Sequence, residues 1–351
     1  MVLGVAAVHY IGLVRKFLIP VVIAVVIGGG VGALFARGHH SSPGAPPSTS
    51  TTTTTQKQSA VAPLTGVIDT SGVSLTRPAL TIKVENTPEA LPQWGVDQAD
   101  VVYEEIVNGG ITRLASVFNS HAPAKVGPVR SVRPTDTSVV WPFGGIFAYS
   151  GGAAYAVQSI SQAPVTLIDE SSAGAAMFRD PSRYAPHNLY AIAARLFAFK
   201  GSPTPPPALF TYRSPGQKLI GAQAAAMTVQ FPSIYAVTWT WNPTSASWDR
   251  TLFGQPDVTG TNVRESPKNV IVMWINYVNG IGTEQSYGDL QGSGSVEVFT
   301  SGREVRGTWS RGPSKSDILK YQTPSGASIA LTPGQTWVEL LNIGAPVRVT
   351  R

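Results

Sequence analysis

Apolar residues are spread unevenly along this chain, and their spacing divides it into segments of different kinds. Phe17 to Phe35 is an unbroken run of 19 uncharged residues, FLIPVVIAVVIGGGVGALF. At about 1.5 Å rise per residue, a helix over this run just spans a hydrocarbon core of about 30 Å. Arg15 and Lys16 precede the run. That charge bias predicts a cytoplasmic N-terminus over 1–16, a single-pass transmembrane anchor over 17–35, and an extracytoplasmic remainder. A cleaved signal peptide would want small residues at the cut, and Leu34-Phe35-Ala36 is a poor match. Residues 36–76 contain SSPGAPPSTSTTTTT. This composition buries too little apolar surface to offset the entropy of ordering, so 36–76 reads as a disordered Ser/Thr/Pro tether.

From Arg77 the pattern changes to short apolar runs bounded by turn residues. Ala79 to Val84 and Asp100 to Val107 read as strands. Asn108-Gly109-Gly110 turns the second of these into a partner over Ile111 to Phe118. Phe147 to Tyr149 closes another strand, and Gly151-Gly152 leads into a helix over Ala153 to Ile160. Leu189, Ile192, Leu196 and Phe199 fall on one face at helical spacing, predicting a helix over 189–199. Ser202 to Pro207 (SPTPPP) breaks any helix or central strand and marks a boundary.

After that boundary the chain reads as β. Val237 to Trp241 alternates, turns at Asn242-Pro243 and returns over Trp248 to Arg250. Asn269 to Val278 is a buried strand by its continuous apolar character. Hairpins are expected for 295–300 with 304–309 across Ser301-Gly302, and for 328–331 with 336–341 across Pro333-Gly334. The fold class is therefore α+β or α/β: a mixed-sheet N-terminal domain with helices over 77–205, followed by a β-rich C-terminal domain over 206–347.

Charge narrows the function classes. Of the 26 basic residues, only Arg15, Lys16, Arg37 and Lys57 precede Asp69, the first acid, which leaves 22 against 20 acids in the remainder. The net charge of +6 thus belongs mainly to the N-terminal segment, and no clustered Lys/Arg surface of the kind that displaces counterions from nucleic acid is visible. There is no cysteine, which removes disulfides, thiolate metal sites, cysteine nucleophiles and a lipid-modified cysteine. Phosphate-binding, dinucleotide, serine-hydrolase and metalloprotease motifs are absent. Only His121 and His187 lie beyond the anchor region, so neither a metal nor a cofactor is expected.

Three polar clusters remain. Asp97, Asp100, Glu104 and Glu105 precede Arg113. On a strand, Glu104 and Glu105 face opposite sides, while Asp100 and Glu104 share one. Those two carboxylates suit acid–base work; equally, Glu104 suits a cross-strand ion pair with Arg113. Arg130 and Arg133 sit in Gly127-Pro128-Val129-Arg130-Ser131-Val132-Arg133-Pro134, where their spacing lets both forks meet an anion or clamp the first cluster's acids. Residues 178–188 gather Arg179, Asp180, Arg183, His187 and Asn188 just before the expected helix. His187 is the best acid–base candidate there, and a capping network is the structural alternative. Trp239, Trp241, Trp248, Trp274 and Trp309 could form a stacking platform or a core.

At these motifs the chain resembles the YerB-like family of bacterial envelope proteins, a family without an assigned reaction. The resemblance covers about Arg77 to Asn342. It rests on RPALTIKVEN, PQWGVDQADVVYEEIVNGGITR, GPVRSVRP, Gly151-Gly152, FRDPSRYAPHNLY, GSGSVEVF and GTW. It implies two joined domains, the first α/β and the second β-rich, residing outside the cytoplasm, usually as a lipoprotein. Here the lipid-bearing cysteine is missing and a membrane span stands in its place. Glu85 stands where the family usually has Asp before Asn86, and Tyr149 where a histidine commonly precedes the glycine pair.

The resulting expectation is a binding module at the cell membrane. Glu85, Asn86, Asp100, Glu104, Arg113, Arg130, Arg133, Arg179, Arg183, His187 and Asn188 would line a cleft for an anionic envelope component or a membrane-associated partner protein, with no nucleic acid involved. A hydrolase of envelope polymers using Asp100, Glu104 and His187 is the enzymatic alternative. A scaffold for a membrane complex is the third reading.

Overall fold

The computed structural model describes residues 60–199, 204–232 and 236–351. The expected anchor at Phe17–Phe35 lies outside these residues, as do Ser202 and Pro203 of the expected break. Among the described residues no helix is long and apolar enough to cross a membrane.

The first half builds five strands of a mixed sheet. β1 (Leu80–Glu85), β2 (Val101–Ile106) and β3 (Thr112–Phe118) are buried at every position. Their apolar positions suit a sheet covered on both faces, and Lys83, Glu85, Glu104, Glu105 and Arg113 interrupt them. β3 runs antiparallel between β1 and β2, whereas β4 (Gly145–Tyr149) and β5 (Val165–Asp169) continue the sheet parallel to β1. Helices α1 (Pro134–Val140) and α2 (Ala154–Ile160) follow β3 and β4 in the chain and pack on each other.

The second half joins the same sheet. Strand Thr336–Asn342 lies parallel to β2 on one side and parallel to Asn269–Val278 on the other. Strands Gly292–Thr300, Arg303–Arg311 and Lys320–Gln322 then extend the sheet antiparallel. The result is a sheet of 12 strands shared by both halves of the sequence. A separate sheet of five strands, from Ala226–Gln230 to Val347–Thr350, is antiparallel throughout. The fold is thus sheet-rich with few helices, mixed in its first half and mainly antiparallel in its second.

The two sheets meet through aromatic rings. Trp239 of the smaller sheet stands edge-on to Trp337 of the larger at 5.3 Å between centroids, and Trp248 meets Phe299 at 5.6 Å. Trp239, Trp248 and Trp309 are buried, and Trp241 and Trp274 pack half-buried against them. The five tryptophans therefore pack in the core or against it.

Three expectations change. Residues 62–76, read as tether, are packed in part: Leu64 is fully buried, its carbonyl accepts from the Tyr212 hydroxyl at 2.5 Å, and the Thr65 carbonyl accepts from the Gly334 amide at 2.8 Å. The helix expected over 189–199 begins late. Leu189–Ala191 is a strand, β7, paired with β6 (Met177–Arg179), and α3 covers only Ala193–Phe197. Tertiary backbone partners at Arg179 and Val126 override the helical periodicity at its start, although Leu189 and Leu196 both reach the core. The hairpin expected across Pro333-Gly334 does not form. Leu331 bridges Tyr212, Ser328 bridges Gln322, and Thr336–Asn342 inserts between two strands remote in sequence.

Candidate functional site

The carboxyl ends of β1, β2 and β4 lie along one edge of the large sheet, together with the start of the antiparallel β3. Crevices outside the carboxyl ends of parallel strands are where open α/β sheets bind ligands. Register places Glu85 opposite Arg113, and Arg113 opposite Glu105, so all three side chains share one face. Lys83, two residues before Glu85, shares it too.

Beneath this edge is a closed ionic group. Lys83 Nζ lies 2.5 Å from Glu105 Oε1 and 2.8 Å from Oδ1 of Asp136 on α1, with all three side chains fully buried. Burial and the neighbouring Asp136 carboxylate push Glu105 up to about 7. The group ties α1 to the sheet. Asp136 also accepts from the Arg133 backbone N–H at 2.7 Å, which fixes the residue that enters the helix.

Above it, residues 127–133 are stitched between strand ends. Glu85 N–H donates to the Pro128 carbonyl and Arg130 N–H to the Lys83 carbonyl, each at 2.9 Å. Ser150 N–H donates to the Arg130 carbonyl at 2.9 Å, and Val132 N–H to the Gly151 carbonyl at 3.1 Å. Gly127 opens this segment at φ +144°, where a Cβ would sit 2.8 Å from the Val129 nitrogen and 2.9 Å from the Leu189 oxygen. Only glycine fits there.

The loop brings three guanidiniums together. Arg113 Nη1 donates to the Ser131 carbonyl at 3.1 Å. Arg133 Nη2 donates to Asn108 Oδ1 at 2.8 Å. Arg130 Nε lies 3.2 Å from Glu85 Oε1, an ion pair without hydrogen-bond alignment. Burial, then repulsion from Arg133 and Arg130, pulls Arg113 down to about 9, while Glu85 and Glu105 oppose the shift. The guanidinium remains charged at neutral pH. Burial is the largest cause of this shift, and Arg133 and Arg130 add to it, so an anion placed there would oppose it. Glu85 also accepts His187 Nδ1 at 2.9 Å, and the side chains of Arg130 and His187 keep 22% and 26% of their exposure. Arg113, Arg130, Arg133, Glu85 and His187 thus form one site at the sheet edge.

The other expected residues lie elsewhere or serve the fold. Asp100, at the far end of β2, accepts the backbone N–H groups of Asn119 and Ser120. It stands four positions before Glu104, roughly 13 Å along the strand. Glu104 faces away from Arg113, which corrects the expected cross-strand pair; register sets Glu105, not Glu104, against that arginine. Glu104 instead accepts Asn86 Nδ2 at 2.9 Å, Thr112 at 2.7 Å and Arg250 Nη2 at 2.7 Å in the core between the sheets. Asp100, Glu104 and His187 therefore do not form a catalytic group, because they occupy three separate environments.

The 178–188 segment is a capping network. Arg179 pairs with Glu170 through Nε at 2.8 Å and holds Asn188 Oδ1 at 2.7 Å. Arg183 donates to the carbonyls of Glu89, Ala90 and Leu91 and to the Tyr190 hydroxyl, at 2.6 to 3.1 Å. Asn188 donates to the Asp180 and Arg183 carbonyls. Lys125 and Ser182 hold Asp180 well below the usual carboxylate range. Sequence reasoning missed Lys83, Asp136 and Arg250. Lys83 carried a readable signal: an ammonium inside the apolar strand LTIKVE demands buried carboxylates.

Comparison with known proteins places the chain in a family. Residues 64–201 match the family described as "Protein of unknown function (DUF3048) N-terminal domain", and residues 227–338 match its C-terminal domain. The chain belongs to this two-domain family. "Putative lipoprotein YerB" of Bacillus subtilis (strain 168) is 34% identical over 130 residues, which span 37% of this chain and 39% of that relative. The crystal structure of YerB protein from Bacillus subtilis has the same fold, with a TM-score of 0.71 at 20% identity, covering 83% of this chain and 100% of that one.

Proposed function

We propose that this chain is a membrane-anchored extracytoplasmic binding module whose sheet-edge site holds an anionic component of the envelope. The observation that carries the reading is the convergence of Arg113, Arg130 and Arg133 on an edge where Glu85 is the acid that Arg130 meets, while Glu105 and Asp136 beneath it are already tied to Lys83. Arginine forks bind carboxylate and phosphate oxygens two at a time. Arg130 is reachable, since its side chain keeps 22% of its exposure and its ion pair with Glu85 lacks hydrogen-bond alignment. The placement outside the cytoplasm rests on Arg15-Lys16 before the apolar run at 17–35 and agrees with a relative named as a lipoprotein. With no cysteine to carry lipid, the apolar run itself would be the anchor. The hydrolase reading loses support because Asp100, Glu104 and His187 stand apart.

The test is sedimentation of the full chain, in mild detergent, with isolated bacterial cell wall. Wild type is expected to pellet with the wall, less so as salt rises. Arg130→Gln is expected to lower the affinity roughly tenfold, a change of about 1.4 kcal/mol, with thermal unfolding unchanged. Equal pelleting of wild type and Arg130→Gln would overturn the reading.

A further inference from the structure

A second cavity lies away from the arginine cluster, between α1, α2 and the segment 279–291, with a volume of about 420 Å³. This is within the range of roughly 300–1,000 Å³ typical of small-ligand sites. At its wall stands Arg311, on strand Arg303–Arg311, with 6% of its surface exposed. Its Nη1 donates to the Ser138 carbonyl at 2.9 Å, but its Nε has no partner. Among the described residues no carboxylate stands within ion-pair distance of it. Its charged and titratable neighbours are Tyr103, Tyr321, Tyr287 and, less strongly, Asp289. Burial lowers its pKa. A buried guanidinium that faces a cavity and lacks a counter-ion is costly unless an anion completes it.

The rest of the lining narrows the ligand. Lys315 contributes a second cation, its Nζ 4.4 Å over the ring of Trp141, and no acidic side chain lines the cavity. Trp141 and Tyr155 present half-buried aromatic surface. Gln162 and Gln291 offer amides that both donate and accept. Aromatic flanks with two-way hydrogen-bonding groups match a ring bearing several hydroxyls, and the two cations call for a negative charge on it.

We propose that this cavity is a binding site for an anionic sugar, with Arg311 and Lys315 holding its carboxylate or phosphate and Trp141 and Tyr155 flanking its ring. The site stands independently of the arginine cluster at the sheet edge.

Saturation-transfer NMR on the full chain tests it, with glucuronate, glucose 6-phosphate and glucose as probes at millimolar concentration. At least one charged sugar is expected to bind, and which one tells carboxylate from phosphate. Glucose is expected to bind at least tenfold more weakly. Arg311→Met is expected to abolish the signal, Lys315→Gln and Trp141→Ala to weaken it severalfold, and Arg130→Gln to leave it intact. Should Arg311→Met fail to fold by thermal scan, Lys315→Gln and Trp141→Ala decide. No binding by either charged sugar, equal binding by glucose, or signals unchanged in both of those variants would overturn the proposal. Loss in Arg130→Gln alone would assign the anion to the sheet edge and overturn it as well. Wall sedimentation is a separate readout, so failure of one site leaves the other standing.

Discussion

Arg250 Nη2 lies 2.7 Å from Oε2 of Glu104, joining residues 146 positions apart in the core between the two sheets. Both side chains are fully buried, and Arg250 also pairs with Asp257. The guanidinium lies 4.7 Å from the Trp337 ring centroid, and the Trp239 indole N–H donates to Glu339 at 2.8 Å beside it. One cation thus serves a cluster of buried acids. Arg250→Met should cost roughly 3–5 kcal/mol, because Glu104 and Asp257 would be left uncompensated. Urea denaturation measures the loss. Adding Glu104→Gln to that variant should restore part of it; no recovery would argue against the charge explanation.

Glu105 makes stability depend on pH in a direction opposite to most carboxylates. Its pKa rises from 4.5 to about 7 on folding, through burial and the nearby Asp136. The folded state therefore holds this proton more tightly than the unfolded chain. The associated stability is fully present below pH 4.5 and is lost as pH rises toward about 7. Glu105→Gln carries no such titration. The stability of wild type relative to Glu105→Gln should fall between these pH values in paired urea titrations, and a constant difference would refute the assignment.

Gly127 sets the path of the arginine loop. Gly127→Ala puts a Cβ against the Val129 nitrogen and the Leu189 oxygen at a φ of +144°. Strain of this kind costs about 1–3 kcal/mol. Thermal unfolding should show that loss, and wall sedimentation of the folded variant should weaken because Arg130 shifts with the loop. Full retention of both would mean the backbone relaxes freely there.

Arg183 is expected to serve stability rather than binding. It donates to consecutive carbonyls from Glu89 to Leu91. Arg183→Met should lower stability by about 2 kcal/mol, as hydrogen bonds from a charged donor are lost. Wall sedimentation of the folded variant should match wild type; a selective loss of sedimentation would move Arg183 into the site.

Much of the site was legible in part. Arg130 and Arg133 stood out as arginines in a proline-bounded loop, and they do converge with Arg113, which was expected beside them, whereas Arg179 and Arg183, expected there too, hold other partners. A loop rich in charge reads the same whether its side chains meet a ligand or its own carbonyls. Only the paths of residues 85–93 and 178–190 decide that, by bringing the Glu89–Leu91 carbonyls within reach of Arg183. Likewise Asp100 and Glu104 share strand parity, which sequence conveys, yet they sit in separate networks.

The sequence by itself determined the strands Leu80–Glu85, Val101–Ile106, Thr112–Phe118 and Asn269–Val278, because short segments rich in β-branched and aromatic residues between turn residues fit a buried sheet. It also determined the Ser301-Gly302 hairpin, where a two-residue turn fixes a local register. Tertiary structure alone decided that Thr336–Asn342 lies parallel between Val101–Ile106 and Asn269–Val278, fusing both halves into one sheet. Parallel pairing carries no local turn signal, since its partners are chosen by which buried faces and charges match at long range. The partner of Glu104 was decided in the same way, because Arg250 reaches it only once the two sheets have closed on each other.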